Sequence, residues 1–256
     1  MQHSRSLSAS AGWRWFLSAL EATRKQPIVL MGVVLFYMLS MSILSVIPWF
    51  GPVLAAVFMP YGTVFFAHAT RDVLADRQPQ FAQLAELMRN RDIRQAMIRV
   101  GLVFGCVLVT VNALYGILAA DEISRWVVDA NDRLDWASVR ANIPWDATIA
   151  MLIVYIPGLM AVWFAPLLVS DKGMPCGKAL FYSFFGCVRN IIPVIVLGVV
   201  LTAISSIVAV GLTALTVFLN ISDLAPFIIT PFVFVISTVI YASYWPMYEG
   251  LFEDVR

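Results

Sequence analysis

Residues 164–198, FAPLLVSDKGMPCGKALFYSFFGCVRNIIPVIVLG, decide the fold of this chain. The stretch leaves an apolar run, crosses a short charged loop containing Gly173 and Pro175, and continues as an amphipathic segment. After Arg189 it enters another apolar run. This order is typical of a polypeptide that leaves a lipid bilayer, lies along its surface and enters it again.

The composition outside this stretch is also that of a membrane protein. Of the 256 residues, 61% are hydrophobic and 13% are charged, whereas about 25% are charged in an ordinary soluble domain. The net charge of +1 gives no indication of a nucleic-acid partner. Six apolar blocks, each near the roughly 20 residues that span a hydrocarbon core as a helix, contain no Asp, Glu, Lys or Arg. They cover residues 27–47, 51–69, 100–120, 147–169, 191–219 and 225–247.

These blocks predict helices rather than strands. Only helices and closed barrels satisfy the backbone polar groups inside lipid. Barrel strands would read as alternating segments of about 10 residues, and the blocks do not alternate. The sequence therefore predicts an all-α polytopic membrane protein with six transmembrane helices. Residues 1–256 are expected to form a single integral membrane domain.

The basic residues predict the orientation of these helices. Arg125, Arg133 and Arg140 fall on one side of the predicted membrane, and the other 14 of the 17 Lys and Arg residues fall on the other side. Cytoplasmic loops carry the excess of Lys and Arg. We therefore expect a multi-pass membrane protein with both termini in the cytoplasm.

Three segments on the basic side have apolar residues at positions i, i+3, i+4 and i+7, which is one face of a helix. Each segment is followed by Lys or Arg and then by a spanning helix, so the pattern predicts amphipathic helices at the cytoplasmic surface. Each cation near anionic lipid contributes about 1 kcal/mol. The three apolar sets are Trp13, Phe16, Leu17 and Leu20; Phe81, Leu84, Ala85 and Met88; and Phe181, Phe184, Phe185 and Val188.

The connection over residues 121–146 has a similar pattern on the opposite side. Its apolar residues predict one helix resting on the outer surface, because about 26 residues could hardly build a folded domain of their own. The residues on this predicted face are Ile123, Trp126, Val127, Ala130 and Leu134.

An internal proline marks the second helix of each predicted pair: Pro60, Pro157 and Pro231. Such a proline removes a backbone hydrogen bond and clashes with the carbonyl four residues earlier, so it predicts a kink. An amphipathic helix, a straight span and a kinked span together define three repeated units, covering about 13–69, 81–169 and 178–247. A chance likeness is the alternative, because the spacing between the units is unequal.

Two polar residues in the blocks are candidate site residues. His68 lies near Arg71 and Asp72, and is interpreted as an interfacial histidine or, alternatively, as a proton-sensitive residue at the mouth of a pathway. Asn112 lies deep in the third block, where an interhelical hydrogen bond is favoured over contact with a solute. The GxxxG motif at 101–105 indicates close helix packing, within the chain or between two copies. Tryptophans at block ends are expected to be interface anchors: Trp13, Trp15, Trp49, Trp145 and Trp245.

The exit loop GMPCGKALF at 173–181 and the following SFF carry the most specific part of a resemblance that covers nearly the whole chain. With WRWFLSALEATRKQP at 13–27 and the hairpin IPWFGPVLAAVFMPYG at 47–62, they resemble a family of proteobacterial inner-membrane proteins. The resemblance extends, more distantly, to the membrane domain of some glycerophosphoryl diester phosphodiesterases. It implies a multi-helix integral membrane protein and brings no catalytic residues, since the phosphodiesterase domain itself has no counterpart here.

The sequence contains no HExxH, GxSxG, Walker phosphate loop or Rossmann glycine fingerprint. No catalytic, cofactor or metal site is predicted from its two His and three Cys. We therefore predict a non-enzymatic integral inner-membrane protein with a scaffold, accessory or envelope-homeostasis role. Its expected partners are membrane lipids and either another protein or a second copy of the chain. The alternative is a carrier or lipid-translocating protein for an uncharged or amphiphilic solute, because three proline-kinked helices could surround a cavity.

Overall fold

The computed structural model describes residues 7–48, 50–80, 82–128 and 133–252. Within these ranges the regular structure is helical, apart from one isolated antiparallel bridge between Val128 and Leu134. A 3-10 turn at Ser222–Leu224 precedes α12. The helices are α1 (Ser10–Lys25), α2 (Pro27–Ser45), α3 (Gly51–Leu74), α4 (Ala82–Arg89), α5 (Arg91–Leu118), α6 (Ala120–Ser124), α7 (Trp136–Ala141), α8 (Trp145–Trp163), α9 (Ala165–Lys172), α10 (Cys176–Arg189), α11 (Ile191–Phe218), α12 (Ala225–Ala242) and α13 (Tyr244–Phe252).

Six stretches of the described chain are long and apolar enough to cross a membrane: α2, α3, α5, α8 with α9, α11, and α12 with α13. The predicted all-α polytopic fold is confirmed. Helix α2 packs against α3, and α11 packs against α12, as two hairpins closed by short turns. In space the spans follow the order α11, α12, α2, α3, α5, α8, with each one packed on the next.

Helices α3 and α5 continue beyond the predicted apolar blocks, into the charged residues near Arg71 and Arg91. The start of α5 has a local cause, because the Asn90 side chain accepts hydrogen bonds from the backbone N–H groups of Asp92 and Ile93 at 3.0 and 3.2 Å. Such an N-cap satisfies donors that have no partner inside the helix. A helix can thus leave the apolar layer without ending there.

One end of the bundle, which we call the basic face, carries every described Lys and Arg except Arg125, Arg133 and Arg140. Most of the fully buried large side chains lie at this end, where α1, α9, α10 and α13 pack around the spans. The spans differ in how far they are buried: 56% of the most apolar window of α3 is buried, but only 11% of that of α11. Helix α3 is therefore central, and α11 is surrounded mainly by lipid. The buried large residues at the basic face include Met97, Val100, Phe164, Leu167, Leu168, Leu251 and Phe252.

The fourth span is broken at Phe164, between α8 and α9. The Ser183 hydroxyl from α10 inserts there: it accepts a hydrogen bond from the Phe164 N–H at 2.9 Å and donates one to the Met160 carbonyl at 2.7 Å. In an uninterrupted helix these two backbone groups would bond to each other. Pro166 lies in the first turn of α9, where a proline is tolerated. The break thus satisfies both backbone groups in a buried place.

Asn190, at the junction of α10 and α11, is fully buried. Its Oδ1 accepts a hydrogen bond from the Leu7 N–H at 2.9 Å, and its Nδ2 donates to the Gly186 carbonyl at 3.0 Å. The residue therefore attaches the segment before α1 to the base of the fifth span. Both polar groups of its side chain are paired, as burial requires.

The predicted amphipathic helices each pack on the bundle. Helix α1 packs on α11 and α12, α4 on α3 and α5, and α10 on α8 and α9. Phe16 of α1 departs from the predicted surface stripe, because its side chain is buried in the core. Phe81 and the Leu84 side chain lie outside the described residues. Other stripe residues are between 42% and 60% exposed: Trp13 and Leu17 on α1, Met88 on α4, and Phe181, Phe185 and Val188 on α10.

The predicted single helix on the outer surface is wrong. The described parts of residues 121–146 form two short helices, α6 and α7, and the bridge between Val128 and Leu134. Asp135 caps α7 by accepting hydrogen bonds from the N–H groups of Ala137 and Ser138, and its own N–H donates to the Val127 carbonyl at 2.9 Å. This competition from short polar side chains outweighs the helical periodicity. Residues 129–132 of the predicted face lie outside the described ranges.

The GxxxG motif packs within the chain. A Cβ atom added at Gly101 would lie 2.6 Å from the Cα of Val57 and 2.8 Å from the carbonyl oxygen of Ala56, so α5 and α3 touch backbone to backbone. At Gly105 the nearest atom would be the Ala56 Cβ, at an ordinary distance of 3.6 Å. Helix α1 crosses α11 in the same way, because Gly12 rests on the Pro193 carbonyl.

These distances predict opposite outcomes for two alanine substitutions. Gly101→Ala should lower the free energy of unfolding by about 1–3 kcal/mol, since overpacking forces the two helices apart. Gly105→Ala should leave stability unchanged or slightly raised, because alanine favours helix and fits there. Thermal unfolding of both variants in one detergent tests the difference. Equal effects would contradict the close α3–α5 contact.

Candidate functional site

The buried polar side chains of the basic face meet where α3, α9 and α13 converge. His68 is 8% exposed, and its Nε2 lies 2.8 Å from Asp171 Oδ1. Ser170 Oγ donates to the same carboxylate oxygen at 2.8 Å. This contact joins α3, which contains His68, to α9, which contains Asp171. The two residues are 103 positions apart in sequence.

A second carboxylate, Asp72, is 3% exposed and closes the end of α3. Its Oδ1 accepts hydrogen bonds from Arg71 Nε at 3.1 Å and Arg77 Nη2 at 3.0 Å. The Arg77 N–H also donates to the Asp72 carbonyl at 2.7 Å, which fixes the turn after the helix. The two guanidinium groups thus supply hydrogen-bond donors to a buried carboxylate.

The turn after α3 is also tied to the end of α1. Lys25 Nζ lies 3.0 Å from Asp76 Oδ1 and donates to the Leu74 carbonyl at 3.2 Å. The hydrogen bond to Asp76 raises the pKa of the Lys25 amino group above its ordinary value. This pair is exposed to solvent, so it contributes to orientation more than to stability.

Trp245 completes the cluster from α13. The Arg71 guanidinium lies over its ring, 5.5 Å from the centroid, and the His68 ring meets it edge-on at 6.2 Å. A cation over a tryptophan face contributes about 0.5–1 kcal/mol at a partly exposed site. Trp245 is half-buried among these groups, and its role as an interface anchor stays a prediction. Trp49, another predicted anchor, lies outside the described residues.

An open cavity of about 420 Å³ lies beside the cluster, between α3, α4, the start of α5 and α9. His68 and Arg71 form one side of it, and Glu86, Asn90 and Ser170 contribute further polar groups. The cavity thus carries both signs of charge and faces water at the basic face.

The arrangement does not supply an activated nucleophile. The Ser170 hydroxyl bonds to the Asp171 carboxylate rather than to the His68 imidazole, so these three side chains do not form a serine–histidine–aspartate relay. Burial raises the pKa of the nearby Cys176 thiol, with partial opposition from Arg99. That thiol is therefore less reactive than a free cysteine. In the part of the chain that the structure describes, no group of three or more His, Cys, Asp or Glu side chains could hold a metal ion.

The interhelical hydrogen bond favoured for Asn112 is absent from the described contacts. Its Nδ2 donates to the Leu108 carbonyl of its own helix at 2.8 Å, and the side chain is exposed. An asparagine on a lipid-facing surface satisfies its donor in this way when no neighbouring helix offers an acceptor. Asn112 and His68 lie on different helices and at different depths, so the fold does not bring them together.

The three predicted proline positions also lie apart. Helices α3, α8 and α12 continue through Pro60, Pro157 and Pro231. Pro60 is buried, whereas Pro157 and Pro231 are exposed. The prolines therefore do not line one common cavity. The breaks in the spans occur instead at Phe164 and Ser243.

Sequence reasoning named Asp72 only as a neighbour of His68, and it missed Asp171, Ser183 and Asn190. A signal for Ser183 was present, because it lies on the face of α10 opposite the exposed phenylalanines. Nothing in the spacing of His68 and Asp171 indicated their contact, because it depends on the packing of α3 against α9.

Comparison with known proteins agrees with this architecture. The chain is 28% identical, over 257 aligned residues, to a protein of Burkholderia thailandensis described as a probable inner membrane protein. The alignment covers 96% of this chain and 92% of the relative. No protein-family model matches the chain, and no solved structure matches it significantly.

The six apolar helices define the class as a multi-pass integral membrane protein. The similarity to the probable inner membrane protein over nearly its full length places it, within that class, among inner-membrane proteins.

A double-mutant cycle tests whether the His68–Asp171 contact is structural. Asp171→Ala should lower the free energy of unfolding by about 1–2 kcal/mol, since it leaves the buried His68 side chain without its partner. The cycle uses leucine at both positions. The double variant His68→Leu with Asp171→Leu should lower the free energy of unfolding by less than the sum of the two single leucine variants. Asp146→Ala, an exposed acidic residue in the first turn of α8, is the control. Additive effects in the cycle would show that the two side chains do not interact.

Proposed function

We propose that this protein is a non-enzymatic scaffold or accessory subunit of the inner membrane, which holds a protein partner at its basic face. The observation that carries the proposal is how the polar groups of this face are used. His68 bonds to Asp171, Asp72 bonds to Arg71 and Arg77, and Asn190 bonds to the segment before α1. These groups join structural elements into a rigid platform rather than converging on one reacting atom.

The surface around this platform supports binding to lipid and protein. Helix α10 exposes Phe181 and Phe185 beside Lys178 and Arg189, and α1 exposes Trp13 and Leu17 beside Arg14. Exposed aromatic and cationic side chains on one short helix favour a position at the headgroup level of an anionic membrane. We propose that the exposed cations of α4 and the start of α5, including Arg89 and Arg91, contact the soluble part of a partner.

We infer that the basic face is cytoplasmic, together with both termini, because Lys and Arg are concentrated in cytoplasmic loops. The three-unit organisation is supported by the packing, in which α10 contacts the hairpin of the second unit and α1 contacts that of the third. The distant likeness to the membrane domain of glycerophosphoryl diester phosphodiesterases stays a prediction from the quoted motifs.

Cysteine accessibility tests the proposed orientation. Cys106, Cys176 and Cys187 are first replaced by alanine, and one new cysteine is introduced as Ala85→Cys on the basic face or Ala137→Cys on the opposite side; both positions are exposed. In intact spheroplasts a membrane-impermeant maleimide should label the variant at 137 alone, and after lysis it should label both. Labelling of position 85 in the intact spheroplasts would reverse the orientation.

Recovery of a partner tests the scaffold role. Full-length protein taken from native membranes in polymer nanodiscs should carry a protein partner in near-stoichiometric amount. The double variant Arg89→Gln with Arg91→Gln should reduce its recovery about tenfold, because it removes charges from the proposed docking surface. The matched control, Arg125→Gln with Arg140→Gln, removes two cations from the opposite side and should retain the partner.

Two results would contradict the scaffold role. One is equal recovery from both double variants, which would mean that any partner binds elsewhere. The other is a particle that contains a single copy of this chain with lipid and no other protein. A second copy of the chain acting as the partner would be recognised by a doubled protein mass that the Arg89 and Arg91 changes abolish.

A further inference from the structure

The open cavity beside the polar cluster, about 420 Å³ in volume, contains two opposite charges that do not pair with each other. Arg71 of α3 and Glu86 of α4 both line it. In the described part of the chain no side chain forms a hydrogen bond or ion pair with the carboxylate of Glu86, which is an exposed residue. Glu86 also lies in the last turn of α4, where a negative charge opposes the helix dipole. Its charge therefore has no role in the helix that carries it.

The Arg71 guanidinium is held in place with its terminal nitrogens available. Its Nε donates to Asp72 Oδ1 at 3.1 Å, and the group lies over the Trp245 ring. These two contacts fix the orientation of the guanidinium. Neither terminal nitrogen has a hydrogen-bond partner among the described residues, and 32% of the side chain is exposed. Asp72 also binds Arg77, so this single carboxylate does not neutralise both cations.

Asn90 adds hydrogen-bond donors to the same cavity. Its Oδ1 accepts from two backbone N–H groups at the start of α5, so the cap fixes the side chain. The Nδ2 amide group has no partner in the described ranges and can donate to a ligand. Leu87 and Ile93 complete the wall with apolar side chains. The cavity thus offers donors for an anion, one carboxylate for a cation, and an apolar surface for the carbon atoms that join them.

The cavity lies at the level of the lipid headgroups. His68 and Ser170 line it, and they mark the points where the apolar blocks 51–69 and 147–169 give way to charged residues. The polar headgroup region begins where the hydrocarbon core of about 30 Å ends. The volume of the cavity also falls within the range of about 300–1,000 Å³ that is usual for small-molecule sites. A lipid headgroup therefore matches both its depth and its size.

We propose that this cavity binds a phosphoethanolamine group, with the phosphate at Arg71 and Asn90 and the ammonium at Glu86. A guanidinium group forms paired hydrogen bonds with phosphate, and a carboxylate accepts hydrogen bonds from the N–H groups of a primary ammonium. A choline headgroup lacks those N–H groups, and a glycerol headgroup lacks the cation. Phosphoethanolamine occurs as the headgroup of phosphatidylethanolamine and as a free molecule, and the depth of the cavity favours the lipid. The site does not depend on the proposed scaffold role.

Ligand-dependent thermal unfolding of the full-length protein in detergent tests the proposal. The probes are the dioctanoyl forms of phosphatidylethanolamine, phosphatidylcholine and phosphatidylglycerol, together with free phosphoethanolamine. The ethanolamine lipid should raise the unfolding temperature saturably. Its affinity should be about tenfold higher than that of either other lipid, because it alone pairs with both charges. A shift with the ethanolamine lipid but not with phosphoethanolamine identifies the membrane lipid as the source, and the reverse identifies the soluble molecule. A shift with both shows that the headgroup is sufficient.

Two substitutions locate the effect. Glu86→Gln keeps the size of the side chain but removes its charge. It should weaken binding of the ethanolamine lipid about tenfold and leave binding of the glycerol lipid unchanged or stronger. Arg71→Lys keeps a positive charge but loses the paired hydrogen bonds to phosphate, so it should weaken binding of all three lipids. The control, Glu21→Gln, removes an exposed carboxylate from α1 outside the cavity wall and should change none of these affinities.

Several outcomes would overturn the proposal. These are no saturable shift with either ethanolamine probe, equal affinities for the three lipids, or a Glu86→Gln protein that still prefers the ethanolamine lipid. Glu86→Gln is suited to this test, since its carboxylate has no partner in the described part of the chain whose loss would unfold the protein. If Arg71→Lys does not fold, Glu86→Gln decides the result alone.

Discussion

The structure depends on a serine hydroxyl inserted into a helix. Ser183 Oγ lies between the Met160 carbonyl and the Phe164 N–H, which would otherwise bond to each other, and satisfies both. The fourth span can therefore break in a buried place without leaving unpaired backbone groups. After that break α9 packs against α3, and Asp171 reaches His68. The break also ends α8 at Trp163.

The bundle has two zones that are stabilised differently. At the basic face, short helices and span ends surround a close-packed core, and buried side chains such as Phe164 and Phe252 are in contact there. Among the spans burial differs, and α11 is mostly exposed along its length. In lipid this exposure carries no hydrophobic penalty, since acyl chains are as apolar as leucine. Contacts at the basic face, including the backbone crossing of α1 over α11 at Gly12, therefore determine the arrangement of the helices.

The buried polar groups of this protein fall into two sets, which differ in whether they have hydrogen-bond partners. At the basic face His68, Asp72 and Asn190 each bond to another part of the chain, which stabilises one relative position of the elements. Among the described residues, the buried Trp163 Nε1–H and Tyr244 hydroxyl have no hydrogen-bond partner. Since an unsatisfied buried donor costs about 1–3 kcal/mol, the first set is what a rigid platform requires.

The sequence by itself determined the all-α polytopic class, the six spans and the asymmetry of charge, because the bilayer imposes length and polarity on each segment independently. It also indicated the close packing at Gly101, which depends on a local motif.

Tertiary structure alone decided the rest. The pairing of His68 with Asp171 and the insertion of Ser183 need helices far apart in sequence to meet. The periodicity that predicted an outer helix was overridden by capping at Asp135, and Asn112 bonded within α5 because no neighbouring helix offered an acceptor. Periodicity records which face of a segment is apolar, but only packing determines what that face contacts.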